Sequence, residues 1–549
     1  MSSLGGESSR AFTLVDRGSA KRDGVHMRKI ALGIAAAAIA LPAAADAQER
    51  AVPETRIERV PVEQAEAPPA PRLPGVPAWA DYAARNIAAI ERYDDTGAEL
   101  NAVIVYDPDA PAKAASLANN GSLLGGRTVL IKDNIETREW PTTAGSYALA
   151  NNDTGRDAPL VASLRANGGV VLGKTNLSEW ANIRDRESTS GWSAIGGLTR
   201  NPFALDRNAC GSSSGSGAAV AAGFAWGAIG TETNGSITCP ASINGVVGFK
   251  PSVGLVSRTH VVPISITQDT AGPMTRRVWD AALLLGAIAS EDPCDPATID
   301  VPGRRADYTE GLSRAALQGV RIGVMRSQVG DRGDVEAVFG AALEDLGRAG
   351  AVLVDIEFQP NGEMYRDSFT VLMFELREQM GKYLQSLPGE NMPRSLADLI
   401  AFNEVNAGIE LRWFGQGLFE LAERTTDRAA YEAARENAVR IAGERTIDKL
   451  LAENDVQFLV APTRGPAWMS DLVLGDNFNG SIGFGAPAAI AGYPHLTVPM
   501  GHVEGLPVGL SIIGAKWADY EVLNAGFAYE QARTAELAQP TFKRWRPAD

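Results

Sequence analysis

The stretch CGSSSGSGAAVAAG at 210–223 sets four serines and four glycines ahead of an alanine-rich segment. Hydroxyls on so free a backbone could cradle a phosphate, supply a nucleophile, or simply pack closely. A phosphate loop needs G-x-x-x-x-G-K-[ST], whose lysine reaches the phosphates, and no lysine falls here. A dinucleotide loop, G-x-G-x-x-G, starts at Gly215 and Gly217 but meets Val220 where its third glycine belongs. Both phosphate readings fail on named residues. Gly211 to Gly215 fits G-x-S-x-G, a nucleophile elbow with Ser213 as nucleophile. That elbow must follow a buried strand, and the preceding NPFALDRNA is turn-like. It also needs a histidine base. His495, in GYPHLTVP, reads as a packed strand-edge residue, and His260 and His502 read as surface.

A hydrolase poor in histidine can use a lysine instead, if burial keeps the amine neutral. Lys132, Lys174 and Lys250 all sit beside strand-like or glycine-rich segments, and chemistry alone does not choose among them. A second loop adds weight. GAIGTETNGSITCP runs an apolar strand into Thr231–Gly235 and then Ser236. Small residues before a serine let backbone N–H groups converge on one point, as an oxyanion hole requires, each donor contributing roughly 3–4 kcal/mol in a transition state. The plainer reading is an ordinary tight turn.

The elements that must position these residues are legible in outline. WADYAARNIAAIERYDD has helical spacing, and RTVLIKDNI is a β-branched strand ending at Lys132. PLVASLRANGGVVLGKTN reads as helix, glycine stop and strand, with Pro159 in the first helical turn. VRIGVM, VEAVFGAALEDLGRAG and AVLVDIEF form a strand–helix–strand crossover, which joins parallel strands. Helical patterns fill 395–453, then QFLVAP, HLTVPMG and VGLSIIG read as buried strands before a last helix at 519–532. The alternation predicts one large α/β domain over 77–549.

Composition narrows the partners. The 549 residues carry a formal charge of -15 with 45% hydrophobic content, which disfavours nucleic acid. No apolar run long enough to span a bilayer occurs beyond the N-terminus. There, MRKIALGIAAAAIALPAAADAQ begins at Met27 with Arg28-Lys29 and ends in Ala45-Asp46-Ala47. This predicts an export signal cleaved after Ala47, with Met27 as the start and 1–26 as an extension. The expected location is periplasmic or secreted, without stable membrane insertion. Residues 48–76, charged and proline-rich, read as a linker. Of three cysteines, Cys210, Cys239 and Cys294, at least one has no partner in the chain. A Cys210–Cys239 bridge is left open.

VLIKDNI, GKTNLSEW, CGSSSGSGAAVAAG, GTETNGSITCPASINGVVGFKP and DTAGPM, in this order and spacing, resemble the amidase signature family. The resemblance covers about 78–540 and includes YPHLTVPMG and LPVGLSIIG. GSITCP, the FNE…WFGQGLFE segment and the export signal are most similar to bacterial peptide amidases. It implies a mixed central β-sheet covered by helices on both faces, and a Ser–cis-Ser–Lys triad. Carried over by position, Ser236 resembles the nucleophile, Ser212 the bridging serine on a cis peptide, and Lys132 the base. Ser213 is the alternative bridge, and Lys250 resembles a structural position. The oxyanion hole falls on the backbone of Thr233, Asn234 and Gly235, with no metal or organic cofactor implied. Two departures stand out. Asn234 replaces a glycine, and Thr238 replaces the arginine of glutamine-hydrolysing transamidation subunits. The resemblance implies hydrolysis of carboxamides, foremost C-terminal peptide amides with release of ammonia. An aryl-acylamidase on N-substituted amides is the second reading, and a non-catalytic binder on the same fold the third. Trp413, Phe414, Asn477 and Phe478 are candidate pocket walls.

Overall fold

Among the described residues eleven strands join in one mixed sheet. The computed structural model describes residues 78–547 except 119, 305 and 306, so the predicted extension, export signal and linker lie outside the described residues. The first six strands are β1 (Val103–Tyr106), β2 (Thr128–Lys132), β3 (Val170–Thr175), β4 (Gly227–Glu232), β5 (Val247–Lys250) and β6 (Thr270–Thr275). Then come β7 (Arg321–Val324), β8 (Val352–Asp355), β9 (Phe458–Pro462), β10 (His495–Val503) and β11 (Leu506–Ile513). Their spatial order is β1-β3-β2-β4-β6-β5-β10-β11-β9-β7-β8.

Connection type decides the polarity of each pair. The helix Pro159–Ala166, with its proline in the first turn, carries the chain from β2 back to a parallel β3. The helix Gly333–Arg348 does the same between β7 and β8, as the crossover pattern predicts. By contrast, β10 and β11 are antiparallel across a tight turn whose Glu504 and Gly505 both have positive φ, the twist-matched geometry for a hairpin. Every residue of β2, β3 and β4 is buried. Strands covered on both faces read as unbroken apolar runs, and here they carry Lys132 and Lys174 into the interior with them.

Helices flank the sheet, and the structure alters the sequence reading in two places. NPFALDRNA is more than a turn: Ala204–Asn208 pairs with Arg200–Asn201 in a small hairpin outside the main sheet. Its middle positions are half-buried, so no apolar run announces it. The helical stretch 395–453 is broken into Leu396–Val405, Gly417–Arg424, Arg428–Ala442 and Lys449–Glu453, the last entered through a wide turn at Gly443–Asp448. The longest helix among the described residues, Gly362–Gln385, starts where the Asn361 side chain accepts from Glu363 N at 2.8 Å and Met364 N at 3.3 Å. Its Met373, Leu376 and Met380 pack with Trp180 and Phe419 in one apolar cluster.

Candidate active site

The C-terminal ends of two parallel neighbours, β2 and β4, set the site. Register places Ile131 beside Ile229, so Lys132 ends its strand level with Gly230 and one residue short of Thr231. Lys132 is fully buried. Its Nζ lies 2.7 Å from Ser212 Oγ, 2.8 Å from Thr231 Oγ1 and 3.3 Å from Thr231 O. Asn134 Nδ2 donates to the same Thr231 hydroxyl at 3.0 Å. Among the described residues no carboxylate touches the amine. Burial pushes Lys132 down to about 7, while the more distant charges of Asp269 and Glu232 pull it up. At neutral pH a large share of the side chain is therefore uncharged.

Ser212 follows a cis peptide bond from Gly211 and is itself buried. Close packing explains the glycines around it. A Cβ on Gly211 would stand 2.1 Å from Ser178 Oγ, and one on Gly215 would stand 2.3 Å from Ala102 O. Ser213 is otherwise engaged. Its hydroxyl donates to Thr231 O at 3.1 Å and accepts from Thr231 N at 3.2 Å. Of the two adjacent serines, Ser212 is the one within reach of Lys132. The N–H of Ser213 donates to Ser236 O at 3.1 Å, which ties the two loops together. A disulfide between Cys210 and Cys239 ties them again from the outer ends, and Cys294 is free and exposed.

Ser236 is half-buried and opens on a cavity of about 230 Å³, with Gly211, Thr233, Asn234 and Gly235 in the same wall. The loop is held from behind. Thr233 Oγ1 donates to Asp269 at 2.5 Å, and Gln268 Nε2 donates to Thr233 O at 3.1 Å. Glu232 accepts from Ile237 N at 2.8 Å and Thr238 N at 3.0 Å, fixing the turn after Ser236. The Thr238 hydroxyl faces this carboxylate at 3.2 Å. The main-chain N–H groups of Asn234, Gly235 and Ser236 donate to no main-chain acceptor among the described residues. Free donors beside a hydroxyl can hold a developing oxyanion, and a buried amine that is largely uncharged at neutral pH can take up a proton.

A model of the amidase family matches residues 87–523. The chain belongs to the amidase family. With that membership goes the activity of an amide-hydrolysing enzyme. The amidase is similar to the native peptide amidase of Stenotrophomonas maltophilia, at 44% identity and a TM-score of 0.78 over 85% of this chain and 95% of that one. A probable amidase of Arabidopsis thaliana is 37% identical over 79% of this chain and 83% of its own. A glutamyl-tRNA(Gln) amidotransferase subunit of Ralstonia pickettii is 34% identical over 81% of this chain and 93% of its own.

The remaining candidates divide. His495 is buried in β10 with Nε2 2.6 Å from Ser511 Oγ, and burial together with Lys250 pushes it down to about 4. His502 is exposed, whereas His260 is half-buried rather than on the surface. Lys250 bonds Pro251 O at 3.0 Å, and burial lowers it to about 8. Of the expected pocket walls, Phe478 lines the cavity of the amidase beside Ser236. Asn477 lines an adjoining cavity of about 360 Å³. Trp413 and Phe414 line neither. The Phe414 ring is buried under the Arg184 guanidinium at 4.2 Å and edge-on to Trp192, a core position. Trp413 lies half-buried under Arg412. Sequence reading missed Arg464, Trp468 and Asp476, which share the cavity with Ser236. For Arg464 one signal exists: it stands two residues past β9, a strand otherwise wholly apolar.

Proposed function

We propose that this amidase is a serine hydrolase that cleaves C-terminal carboxamides of peptides and releases ammonia. The observation that carries the reading is the 2.7 Å approach of a buried, carboxylate-free Lys132 to Ser212, on a loop bonded to the backbone of Ser236. Similarity to a peptide amidase supports the substrate class. In the proposed course, neutral Lys132 accepts the Ser212 proton as Ser212 accepts that of Ser236. Ser236 Oγ attacks the amide carbon, and the oxyanion rests on the N–H groups of the 233–236 loop. Collapse breaks the C–N bond, the relayed proton leaves with ammonia, and water then cleaves the acyl ester to free Ser236. Export to an oxidising compartment belongs to the same proposal. It is supported by the Met27–Ala47 pattern and by the Cys210–Cys239 bridge beside the site.

The test is ammonia release from a peptide amide and amine release from an anilide, with wild type, Lys132→Ala, Ser212→Ala and Ser236→Ala. Ammonia from the peptide amide should fall by roughly a thousandfold or more in Ser236→Ala and Lys132→Ala. Release of aniline alone would move the substrate to N-substituted amides. Turnover surviving Ser236→Ala would overturn the mechanism.

A further inference from the structure

Arg464 is a charged group of the Ser236 cavity that makes no hydrogen bond and no ion pair among the described residues. Its Nη2 stands 3.9 Å from where a Cβ on Gly235, the residue before Ser236, would lie. The guanidinium sits over the Phe478 ring, with Cζ 4.7 Å from the ring centroid. Among the described residues no hydrogen bond and no ion pair takes its N–H fork.

The nearby carboxylates are committed elsewhere. Asp476, in the same cavity, accepts from Ser190 Oγ at 2.5 Å, Ser190 N at 3.1 Å, Trp468 Nε1 at 3.2 Å and Asn208 Nδ2 at 3.4 Å. Glu232 is bonded to the turn after Ser236. Their charges, with Tyr365, oppose the burial that draws Arg464 below its ordinary value, yet none bonds it. An arginine stays charged in a protein, and this half-buried fork lines the cavity without a protein partner among the described residues. Such a fork matches a carboxylate with two parallel hydrogen bonds. The adjoining cavity meets this one along Arg464, Trp468 and Phe478. It adds Arg207, which stacks on Trp545 at 4.6 Å and forms no ion pair among the described residues.

We propose that Arg464 is a specificity residue that selects amides bearing a carboxylate next to the scissile carboxamide, as in a peptide amidated at an acidic last residue. The proposal rests on the peptide-amide reading above and names the substrate class within it. The carboxylate takes the free fork while the scissile carbonyl lies over the 233–236 loop.

The experiment compares two amidated tetrapeptides that differ only in the last residue, Glu or Met, with wild type, Arg464→Met and Arg464→Lys. Wild type should favour the Glu peptide in kcat/KM by about tenfold or more. Arg464→Met should bring the ratio to about one, with Arg464→Lys between, since an ammonium keeps the charge without the fork. Equal kcat/KM for both peptides in wild type overturns the proposal even if a variant fails to fold, and leaves the peptide-amidase reading intact. Equal losses on both peptides in Arg464→Met also overturn it, because the residue would then serve every substrate alike. Should neither peptide be turned over, calorimetric binding to Ser236→Ala decides. Tighter binding of the Glu peptide supports Arg464 while the amidase reading fails, and equal binding overturns both.

Discussion

Lys132 and Lys174 lie on neighbouring strands of one sheet, both fully buried, and they meet opposite chemistry. Lys132 pairs in register with Thr175, so Lys174, one residue earlier, points to the other face. On its face Lys174 meets Asp133 Oδ1 at 3.1 Å, with Ile135 O at 2.7 Å and Thr142 Oγ1 at 2.8 Å completing its shell. Burial pushes Lys174 down and Asp133 up, and each charge pulls the other back. Lys132 meets only hydroxyls and a carbonyl, and its nearest charged influences do not touch it. Burial makes either lysine reluctant to hold a proton. Both touch a hydroxyl, but only the one without a carboxylate partner can hand that proton on, because a paired carboxylate keeps the charge in place.

The widest gap between the two should come from the same substitution at each. Lys132→Met is expected to lower kcat/KM by roughly a thousandfold or more, because no base remains. Lys174→Met strands Asp133 as a buried unpaired carboxylate and should cost about 3–5 kcal/mol in urea unfolding. The double change Lys174→Met with Asp133→Asn should regain part of that loss. Lys174→Met that destroyed turnover with stability intact would erase the distinction.

That distinction is only partly legible in the sequence. Strand β2 stands out, because a strand buried on both faces must be an unbroken apolar run, and Lys132 at its end is therefore a placed candidate. Lys174 and Lys250 carry the same local signal. What separates Lys132 from Lys174 is that Asp133, on the neighbouring strand's end, reaches Lys174, while Ser212, eighty residues away in sequence, reaches Lys132, and residue type holds no record of such meetings. Ser212 and Ser213 are likewise identical in chemistry, and only the direction of one hydroxyl toward Lys132 and the other toward Thr231 tells them apart. Phe414 belongs to the core rather than to a cavity wall, and its residue type does not reveal this. An aromatic ring reads the same whether it faces a substrate or Arg184. Arg464 escapes because a single charge past a strand has no period to betray it.

A smaller effect sharpens the comparison by loosening one side of it. The Cys210–Cys239 bridge spans 29 residues and brackets Ser212 and Ser236, whereas nothing covalent holds the Lys174 pair. Cys210→Ser with Cys239→Ser should cost roughly 2–4 kcal/mol of stability. Because the tie lines the Ser236 cavity, kcat should fall as well in the still-folded protein. Cys294→Ser, at an exposed position, should leave both quantities as they are. Full activity in the double serine variant would show that the hydrogen bond from Ser213 N to Ser236 O alone aligns the loops.

The finest test is the pH profile, where the sign can be worked out. With Lys132 at about 7, kcat/KM should rise about tenfold per pH unit below that value and level off above it, since only the neutral amine accepts a proton. Stability carries the same signature. The unfolded lysine keeps its proton to about 10.4, while the folded one releases it near 7. Between those values the unfolded state binds more protons, so stability rises with pH, and the cost of burying the ammonium is fully present below the window. Lys132→Met should remove that contribution. Asp269→Asn then refines the point. Asp269 is the larger of the two charges holding Lys132 up, so its loss should move the acid limb of kcat/KM to lower pH. A limb that stayed fixed would mean that the titrating group is not Lys132, and that being buried beside a hydroxyl does not suffice to make a lysine a base.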